Sequence, residues 1–377
     1  MAGACYLLAA KNRHSAAVQL LERHWEQIDE PRRLRLLEPL FFLDEAGVLS
    51  PSLSAYCASF RPDVGAKAIE RLAQAYAGVD DVDRKQFDRH IIARLRELEA
   101  VKPNFIDIRF STEQRRGLVN TILTRLGQRE PLSLIRMGDG DSYVFPIPEV
   151  EGIDPKLFED DRLLRERQLW RVSPPPEVRS AIRHAVCRAY ETCDIVGPPS
   201  VYRVLQCFDR MKVRFGRTDQ QRGLMTVLAA TGVALPLMGK IVTEDRCSHC
   251  AFDRTTLDAM IAAAESVLVV SCWSEKHLRI RGRPTKYIVV SSELKVRDLA
   301  ASGTQPPIFE CYGEIAAQVR RESGPGTLVL VGAGVVGKIF VEEAKQAGAV
   351  ALDVGSLLDN MAGYHTRLLG DAPFLMS

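Results

Sequence analysis

Apolar residues in the first hundred positions recur at helical spacing, without alternating β-branched runs. The spacing appears in four stretches, near 16–25, 34–41, 64–76 and 84–98. Apolar residues three and four positions apart form one face of an amphipathic helix, and Pro31 is well placed to begin the second stretch. The pattern predicts an all-helical module over residues 1–105, suited to docking or to covering the main domain, with a boundary near Pro103.

Beyond residue 110 the pattern changes to short apolar runs that alternate with amphipathic stretches. Ser111 and Gln114 have the spacing of a capping box ahead of a helix that reaches Leu126, and a further helix is predicted over 177–193. Continuous apolar strands between helices indicate an α/β fold with a mostly parallel, Rossmann-like sheet covered on both faces, here over residues 106–377. Such sheets bind ligands at the carboxyl ends of their strands. The predicted strands are 132–136, 194–197, 240–243, 266–271, 286–291, 327–331 and 349–353.

Composition narrows the classes of protein that fit this pattern. The length of 377 residues predicts two domains, or one large domain with an appendage. The chain is 46% hydrophobic and carries a formal net charge of +2, and so balanced a charge argues against general nucleic-acid binding. No apolar run is long enough to span a bilayer, and no basic region precedes the short apolar N-terminal stretch, so we expect no secretory signal. Nine irregularly spaced cysteines indicate reduced thiols and a cytoplasmic protein.

The segment Arg136-Met-Gly-Asp-Gly-Asp141, directly after the first predicted strand, carries the candidate chemistry. The carboxylates of Asp139 and Asp141 are hard oxygen ligands of the kind that Mn²⁺ or Mg²⁺ uses when it bridges a diphosphate. Gly138 and Gly140 permit positive φ angles and a close approach of backbone to ligand. Arg136 could contact a phosphate or lock a carboxylate in place. A polar turn that caps a helix would use the same residues, so the pattern alone leaves both interpretations open.

This segment resembles the signature of the GT-D type glycosyltransferases, whose usual form is Arg-x-Gly-Asp-Gly-Glu. Asp141 stands where the family has Glu, which shortens the acidic side chain by one methylene. The resemblance covers about residues 110–370 and leaves the helical module outside. A second stretch, similar to the end of the family's domain, contains Asp353, Gly355, Asp359 and Arg367. The resemblance implies that Asp353 and Asp359 line the far wall of the pocket or orient the donor, and that Arg367 contacts a phosphate.

The resemblance implies a fold, an activity and a set of partners. In that family an acidic pair after an early strand binds the metal and the nucleoside diphosphate of a sugar donor. We therefore expect a metal-dependent hexosyl- or pentosyltransferase that moves a sugar from a nucleotide sugar to an acceptor hydroxyl in cell-surface polysaccharide or glycoprotein synthesis. The acceptor would be a glycan, a lipid-linked molecule or a protein. The helical module could contact a partner protein or the inner membrane face.

The glycine turn Gly332-Ala-Gly334-Val-Val-Gly337 supports a rival hypothesis. It follows a predicted strand, begins a helix and precedes Asp353 by about twenty residues, which is the pattern of a dinucleotide site and of an NAD(P)-dependent oxidoreductase. Only some forty residues follow, too few for the rest of that fold in its usual order. The turn could instead bind phosphate beside the glycosyltransferase pocket, or provide a tight helix–sheet contact. A non-catalytic scaffold is the third hypothesis.

Further candidates follow other predicted strands. Glu244, Asp245 and Glu275 lie after strand ends and are the candidates for a general base. Cys247 and Cys250 could hold zinc or do redox chemistry, although a plain loop is the favoured interpretation. A basic cluster could bind diphosphate or an anionic acceptor, or could be a solvated face; it comprises Lys276, Arg279, Arg281, Arg283 and Lys286.

Overall fold

The computed structural model describes most of the chain. The described residues are 14–45, 47–61, 63–75, 81–101, 104–105, 107–170, 172–207, 216–233, 237, 239–291 and 306–364. Arg367, which the sequence implicates in donor binding, lies outside them.

The N-terminal region is helical throughout its described part, as predicted. The second predicted stretch is two helices that are separated at Leu36, and a further helix, which the sequence pattern did not predict, begins at Pro51. Proline suits a first helical turn because its missing N–H would have no partner there. The helices are α1 (His14–His24), α2 (Glu30–Arg35), α3 (Leu37–Glu45), α4 (Pro51–Ala58), α5 (Val64–Ala75), α6 (Asp81–Phe87) and α7 (Ala93–Ala100), with a 3₁₀ turn at Trp25–Gln27 and a π-helical turn at Asp88–Ile92.

Strands and helices alternate through the rest of the chain. The strands are β1 (Leu132–Arg136), β2 (Ile195–Gly197), β3 (Ile241–Val242), β4 (Ser266–Ser271), β5 (Thr285–Val289), β6 (Thr327–Gly332) and β7 (Val350–Asp353). The helices are α8 (Thr112–Gln128), α9 (Pro155–Trp170), α10 (Pro176–Thr192), α11 (Val201–Cys207), α12 (Asp219–Val233), α13 (Cys247–Ala251), α14 (Arg254–Ala263), α15 (Ile308–Glu322), α16 (Gly337–Gln346) and α17 (Leu357–Met361).

The seven strands form one parallel sheet in the order β3-β2-β1-β7-β6-β4-β5. Successive residues of a strand point to opposite faces, so Leu328 and Leu330 of β6 join one buried cluster while Val329 and Val331 join the other. Because both faces are covered, central strands such as β6 and β7 consist mostly of buried apolar residues. The predicted parallel α/β architecture is confirmed.

The two faces of the sheet carry different layers. The smaller apolar cluster lies under α8, α13, α14 and α17. The larger cluster extends without a break from the sheet into the helical module and includes Leu40 and Phe41 of α3. The Phe41 ring contacts Phe110, and the Phe110 ring contacts Tyr202. The module is therefore packed on the α/β region through a shared core. No helix in the described part of the chain is long and apolar enough to cross a membrane.

Half of the predicted capping box is present at the start of α8. The Ser111 Oγ atom accepts a hydrogen bond from the Gln114 backbone N–H at 3.2 Å. The Gln114 side chain accepts from the backbone N–H of Asp107 at 2.9 Å, because a turn at 107–110 folds back over the helix end. The Gln114 side chain therefore binds the backbone of this turn instead of the backbone N–H of Ser111.

Candidate functional site

Arg136 and Asp353 meet at the carboxyl ends of the adjacent strands β1 and β7. The Arg136 Nη2 atom lies 3.1 Å from Asp353 Oδ1, and Arg136 Nε donates to the Asp353 carbonyl at 2.9 Å. Burial on its own would raise the pKa of the Asp353 carboxyl, but Arg136 and Lys338 together lower it below its usual value. Arg136 therefore locks an acid in place, as the sequence allowed, and the acid that it holds is Asp353.

Lys338, in the first turn of α16, is the second cation of this site. Its Nζ atom lies 3.2 Å from Asp141 Oδ1 and 3.1 Å from Asp353 Oδ2, and the residue is only 5% exposed. Burial acts to lower the pKa of Lys338, but the two carboxylates outweigh it and raise that pKa. The ammonium thus stays charged between two acids. Lys338 is not among the residues predicted from the sequence, although its position directly after the glycine turn was a usable signal.

The acidic turn is a 3₁₀ helix, Asp139–Tyr143, that begins after β1. Asp141 is buried, and its Oδ2 atom accepts a hydrogen bond from the Gly138 N–H at 2.7 Å. Burial raises the pKa of Asp141, and Lys338 offsets only part of that effect. Gly138 has a φ of −82° and Gly140 is not among the glycines with positive φ, so the conformational freedom expected of this pair is not used.

The described residues do not fit a divalent cation held by Asp141. One oxygen of Asp141 is bonded to Gly138 and the other faces Lys338. Arg136, Lys338, Asp141 and Asp353 together are neutral in charge, and within the described ranges no three His, Cys, Asp or Glu side chains group as metal ligands. A cation at Asp141 would have to displace the ammonium. The side chain of Asp139, the other predicted ligand, is outside the described part.

In the turn between β6 and α16, close packing explains why glycine stands at positions 332 and 337. A Cβ at Gly332 would stand 3.0 Å from the Gly355 carbonyl oxygen, and one at Gly337 would stand 3.0 Å from Val331 Cγ1. Gly334 has a φ of +60°, in the left-handed region. The turn brings α16 close to the sheet and delivers Lys338 to Asp353. An Asp353 held by two cations is poorly placed to bind the ribose of a dinucleotide.

Glu244 and Asp245 follow β3, as predicted, but have different surroundings. Glu244 is fully buried, and both of its carboxylate oxygens lie 2.8 Å from the Arg109 Nε atom. Ser200 donates to the same carboxylate at 2.9 Å. Arg109 also lies 3.2 Å from Glu38 of α3. Glu244 therefore belongs to the junction between the helical module and the sheet.

Asp245 lies directly beside the Arg136–Asp353 pair. Its carbonyl oxygen accepts a hydrogen bond from Arg136 Nη1 at 3.4 Å. Its carboxylate is 3.5 Å from Arg203 through Oδ2, while the buried Oδ1 atom has no hydrogen-bond partner in the described structure. Of the three candidates for a general base, Asp245 is the one that the fold brings to the charged cluster with an oxygen still available.

Glu275, which follows β4, and Asp359, which follows β7, are not brought to this cluster. Glu275 is exposed in the loop after β4. Asp359 accepts a hydrogen bond from Trp273 Nε1 at 2.7 Å, and the Trp273 ring stacks on Tyr364 with 4.6 Å between centroids. Asp359 thus ties the end of β4 to α17.

The predicted cysteine residues lie among local contacts, whereas the residues of the predicted basic cluster lie at the surface. Burial raises the pKa of Cys247, and the Cys250 thiol donates to Glu244 at 3.3 Å. His249, between them, bonds Ser356 at 3.0 Å. All five side chains of the predicted basic cluster are exposed, and Lys286 pairs with Glu322.

A cavity of about 500 Å³ lies between the helical module and the sheet domain. It opens near the first turns of α8 and α14, which precede β1 and β4 and therefore begin at the carboxyl edge of the sheet. Its wall combines aromatic rings with charged, hydroxyl and amide groups, including those of Phe41, Phe110, Arg109, Thr112, Arg116 and Asn120.

The α/β region also matches a known protein family. The sequence pattern of the GT-D-like family, which is described as a GT-D fold-like domain, matches residues 114–361 of this chain. A solved structure is described as a highly conserved domain of unknown function with a distinct glycosyltransferase fold. It is 15% identical, with a TM-score of 0.35, over 63% of this chain and 76% of that chain. No curated protein matches the chain significantly.

Proposed function

The chain belongs to the GT-D-like family, and on that premise we propose that it is a glycosyltransferase acting on a nucleotide sugar. The proposed reaction moves the sugar from its nucleoside diphosphate to a hydroxyl of the acceptor. The observation that carries the proposal is the buried cluster of Arg136, Asp353, Lys338 and Asp141 at the carboxyl ends of β1 and β7. This is the edge where parallel α/β sheets bind their ligands.

The cluster is suited to a reaction in which negative charge develops on a leaving diphosphate. The bond between the anomeric carbon and the diphosphate oxygen breaks, and its electron pair leaves with the diphosphate. Lys338, in the first turn of α16, follows the end of β6, and its ammonium opposes that charge. Because Asp141 and Asp353 hold Lys338 in place, little reorganisation is needed during the reaction.

Asp245 is the base that we propose for the acceptor. The acceptor oxygen bonds to the anomeric carbon, and its proton passes to the Asp245 Oδ1 atom, which is buried and without a hydrogen-bond partner in the described structure. Glu244 is less suited, because Arg109 and Ser200 already engage its carboxylate. Glu275 is exposed to solvent and has no described contact with the cluster.

Dependence on Mn²⁺ or Mg²⁺ stays a prediction, and it now rests on Asp139. Asp141 is engaged by Gly138 and Lys338, so no step is assigned to a metal on that residue. A cation that arrives with the diphosphate would belong to the substrate.

We propose that the cavity between the module and the sheet binds the part of the acceptor beyond its reacting hydroxyl, because Asp245 is not among the residues that line it. Aromatic rings beside hydroxyl, amide and charged groups can contact both the faces and the hydroxyls of a sugar. An acceptor that is a glycan, or that carries one on a lipid or protein, fits this lining. A role in cell-surface polysaccharide or glycoprotein synthesis follows as part of the proposal.

Calorimetric titration with UDP and GDP, with and without Mn²⁺, tests donor binding. We expect one nucleotide to bind, and Lys338→Ala to weaken its binding at least about tenfold in the absence of Mn²⁺, because a cation next to the diphosphate is lost. Arg125→Ala, which removes an exposed cation near the end of α8, is the control and should leave the affinity unchanged. Binding of neither nucleotide would overturn the proposal.

Two further measurements separate the rival functions. Hydrolysis of a nucleotide sugar by the purified protein, lost in Asp245→Asn and kept in Glu275→Gln, would exclude a non-catalytic scaffold. Fluorescence titration with NADH should show no response; saturable binding would favour the oxidoreductase instead.

A further inference from the structure

We infer that Lys338 is the resident cation of the acidic turn and that it excludes a divalent metal from Asp141 and Asp353. The inference goes beyond the proposed function, because it concerns what occupies the site before any donor arrives. Its motivation is geometric: one buried ammonium lies 3.2 Å from an oxygen of Asp141 and 3.1 Å from an oxygen of Asp353.

The two acids that Lys338 joins come from different strands but face the same point. Asp141 follows β1, Asp353 ends β7, and these strands are neighbours in the sheet. Two carboxylate oxygens that converge on one cationic centre are also the beginning of a site for a hard divalent cation. The ammonium of Lys338 occupies that centre, where it is 5% exposed.

Charge balance explains why a metal does not add to this arrangement. Arg136 and Lys338 carry two positive charges, and Asp141 and Asp353 carry two negative ones. A further divalent ion would bring the buried cluster to a net charge of +2, in surroundings where an uncompensated charge is costly. Removal of the ammonium would instead leave one unpaired negative charge and a space between two carboxylates.

The fold holds Lys338 in this position from several sides. Lys338 Nζ also lies 3.4 Å from the Gly334 carbonyl oxygen, within the turn that precedes α16. Gly337, the residue before it, lies close against Val331 of β6, which brings the first turn of the helix to the sheet. The lysine is therefore part of the built site and cannot move to solvent without a rearrangement of the turn.

Titration of the full chain with Mn²⁺, followed by electron paramagnetic resonance in the absence of nucleotide, tests the inference. In the wild-type protein we expect no saturable Mn²⁺ site that depends on Asp141. Lys338→Ala should create one that binds at least about tenfold more tightly than any site of the wild type, because a net negative charge is exposed to the ion. Adding Asp353→Asn to that variant should remove the new site.

Controls keep the result decisive. Lys286→Ala should bind Mn²⁺ like the wild type, and circular dichroism shows whether each variant is folded. If Lys338→Ala does not fold, Lys338→Gln replaces it, because glutamine keeps most of the side-chain volume. Comparison of Mn²⁺ binding by the wild type and by Asp141→Asn tests the inference without any Lys338 variant. A wild-type site that Asp141→Asn abolishes, or a folded Lys338 variant with unchanged Mn²⁺ affinity, would overturn the inference. Failure of nucleotide binding would overturn the proposed function alone.

Discussion

The guanidinium of Arg136 occupies the space that a side chain at Gly355 would need. A Cβ atom built on Gly355 would lie 2.0 Å from Arg136 Nη2, and Gly355 has a φ of +51°. The absence of a side chain at position 355 is thus what lets Arg136 reach across from β1 and bond to Asp353.

Gly355→Ala should therefore destabilise the protein by about 2–4 kcal/mol, through the clash with Arg136 and the strain of a positive φ. Urea unfolding measures the effect. Gly282→Ala is a matched control, because Gly282 has a φ of +92° but nothing within 4 Å of its Cβ position. Equal losses in the two variants would show that backbone strain, and not the Arg136 contact, sets the requirement for glycine.

Asp353→Asn should cost about 3–5 kcal/mol of stability, because it leaves Arg136 and Lys338 buried with too little negative charge. Glu322→Gln, which breaks an exposed pair with Lys286, should cost less than about 1 kcal/mol.

The difference in stability between the wild type and Asp353→Asn should also depend on pH. Since the folded protein lowers the pKa of Asp353, its contribution is present above the unfolded pKa, near 4, and is lost as the pH falls through the lower folded value. A difference that stayed constant from pH 7 down to pH 3 would contradict this role.

Glu99→Gln should stabilise the junction of the helical module at neutral and alkaline pH. Burial and the nearby Asp107 raise the pKa of Glu99 to about 7, and burial raises the pKa of Asp107 to about 6. The folded state then holds protons that the unfolded state releases above pH 4–5, so wild-type stability should fall as the pH rises from 5 to 8.

The gain from Glu99→Gln at pH 8 should be on the order of 1 kcal/mol, since partial exposure to solvent screens the charge. Thermal melts between pH 5 and pH 8 measure it. Glu97→Gln, on the same helix but exposed and paired with Arg94, should leave the pH dependence unchanged. A Glu99→Gln melt as pH-dependent as that of the wild type would refute the assignment.

Asp359→Ala should cost about 1–2 kcal/mol by removing the acceptor for Trp273 Nε1, and should change the fluorescence of that ring. Its nucleotide affinity should equal that of the wild type, because the described contacts of Asp359 support α17. Asp258→Ala, at an exposed pair with Arg254, is the control for stability. A tenfold loss of nucleotide affinity in Asp359→Ala would instead favour the donor contact that the family resemblance implies.

Local patterns in the sequence identified most of the architecture. The apolar runs at β1 and β6 and the helical spacing of the first hundred residues each depend on neighbours a few positions apart, so they predicted their elements well. The helix that begins at Pro51 was not predicted, although proline suits a first helical turn. The glycines of the β6–α16 turn were recognised, but their packing against Val331 and Gly355 was one of several open interpretations.

The amino-acid sequence by itself determined the helices, the strands and the presence of an Arg-Asp-Asp turn at the end of the first strand. Only the tertiary structure decided what those charges do. Arg136 pairs with an acid 217 positions away, and Lys338 joins that acid to Asp141. The physical reason is that a buried charge takes its counter-ion from whichever strand end lies beside it, and strand order is set by packing across the whole sheet rather than by local spacing.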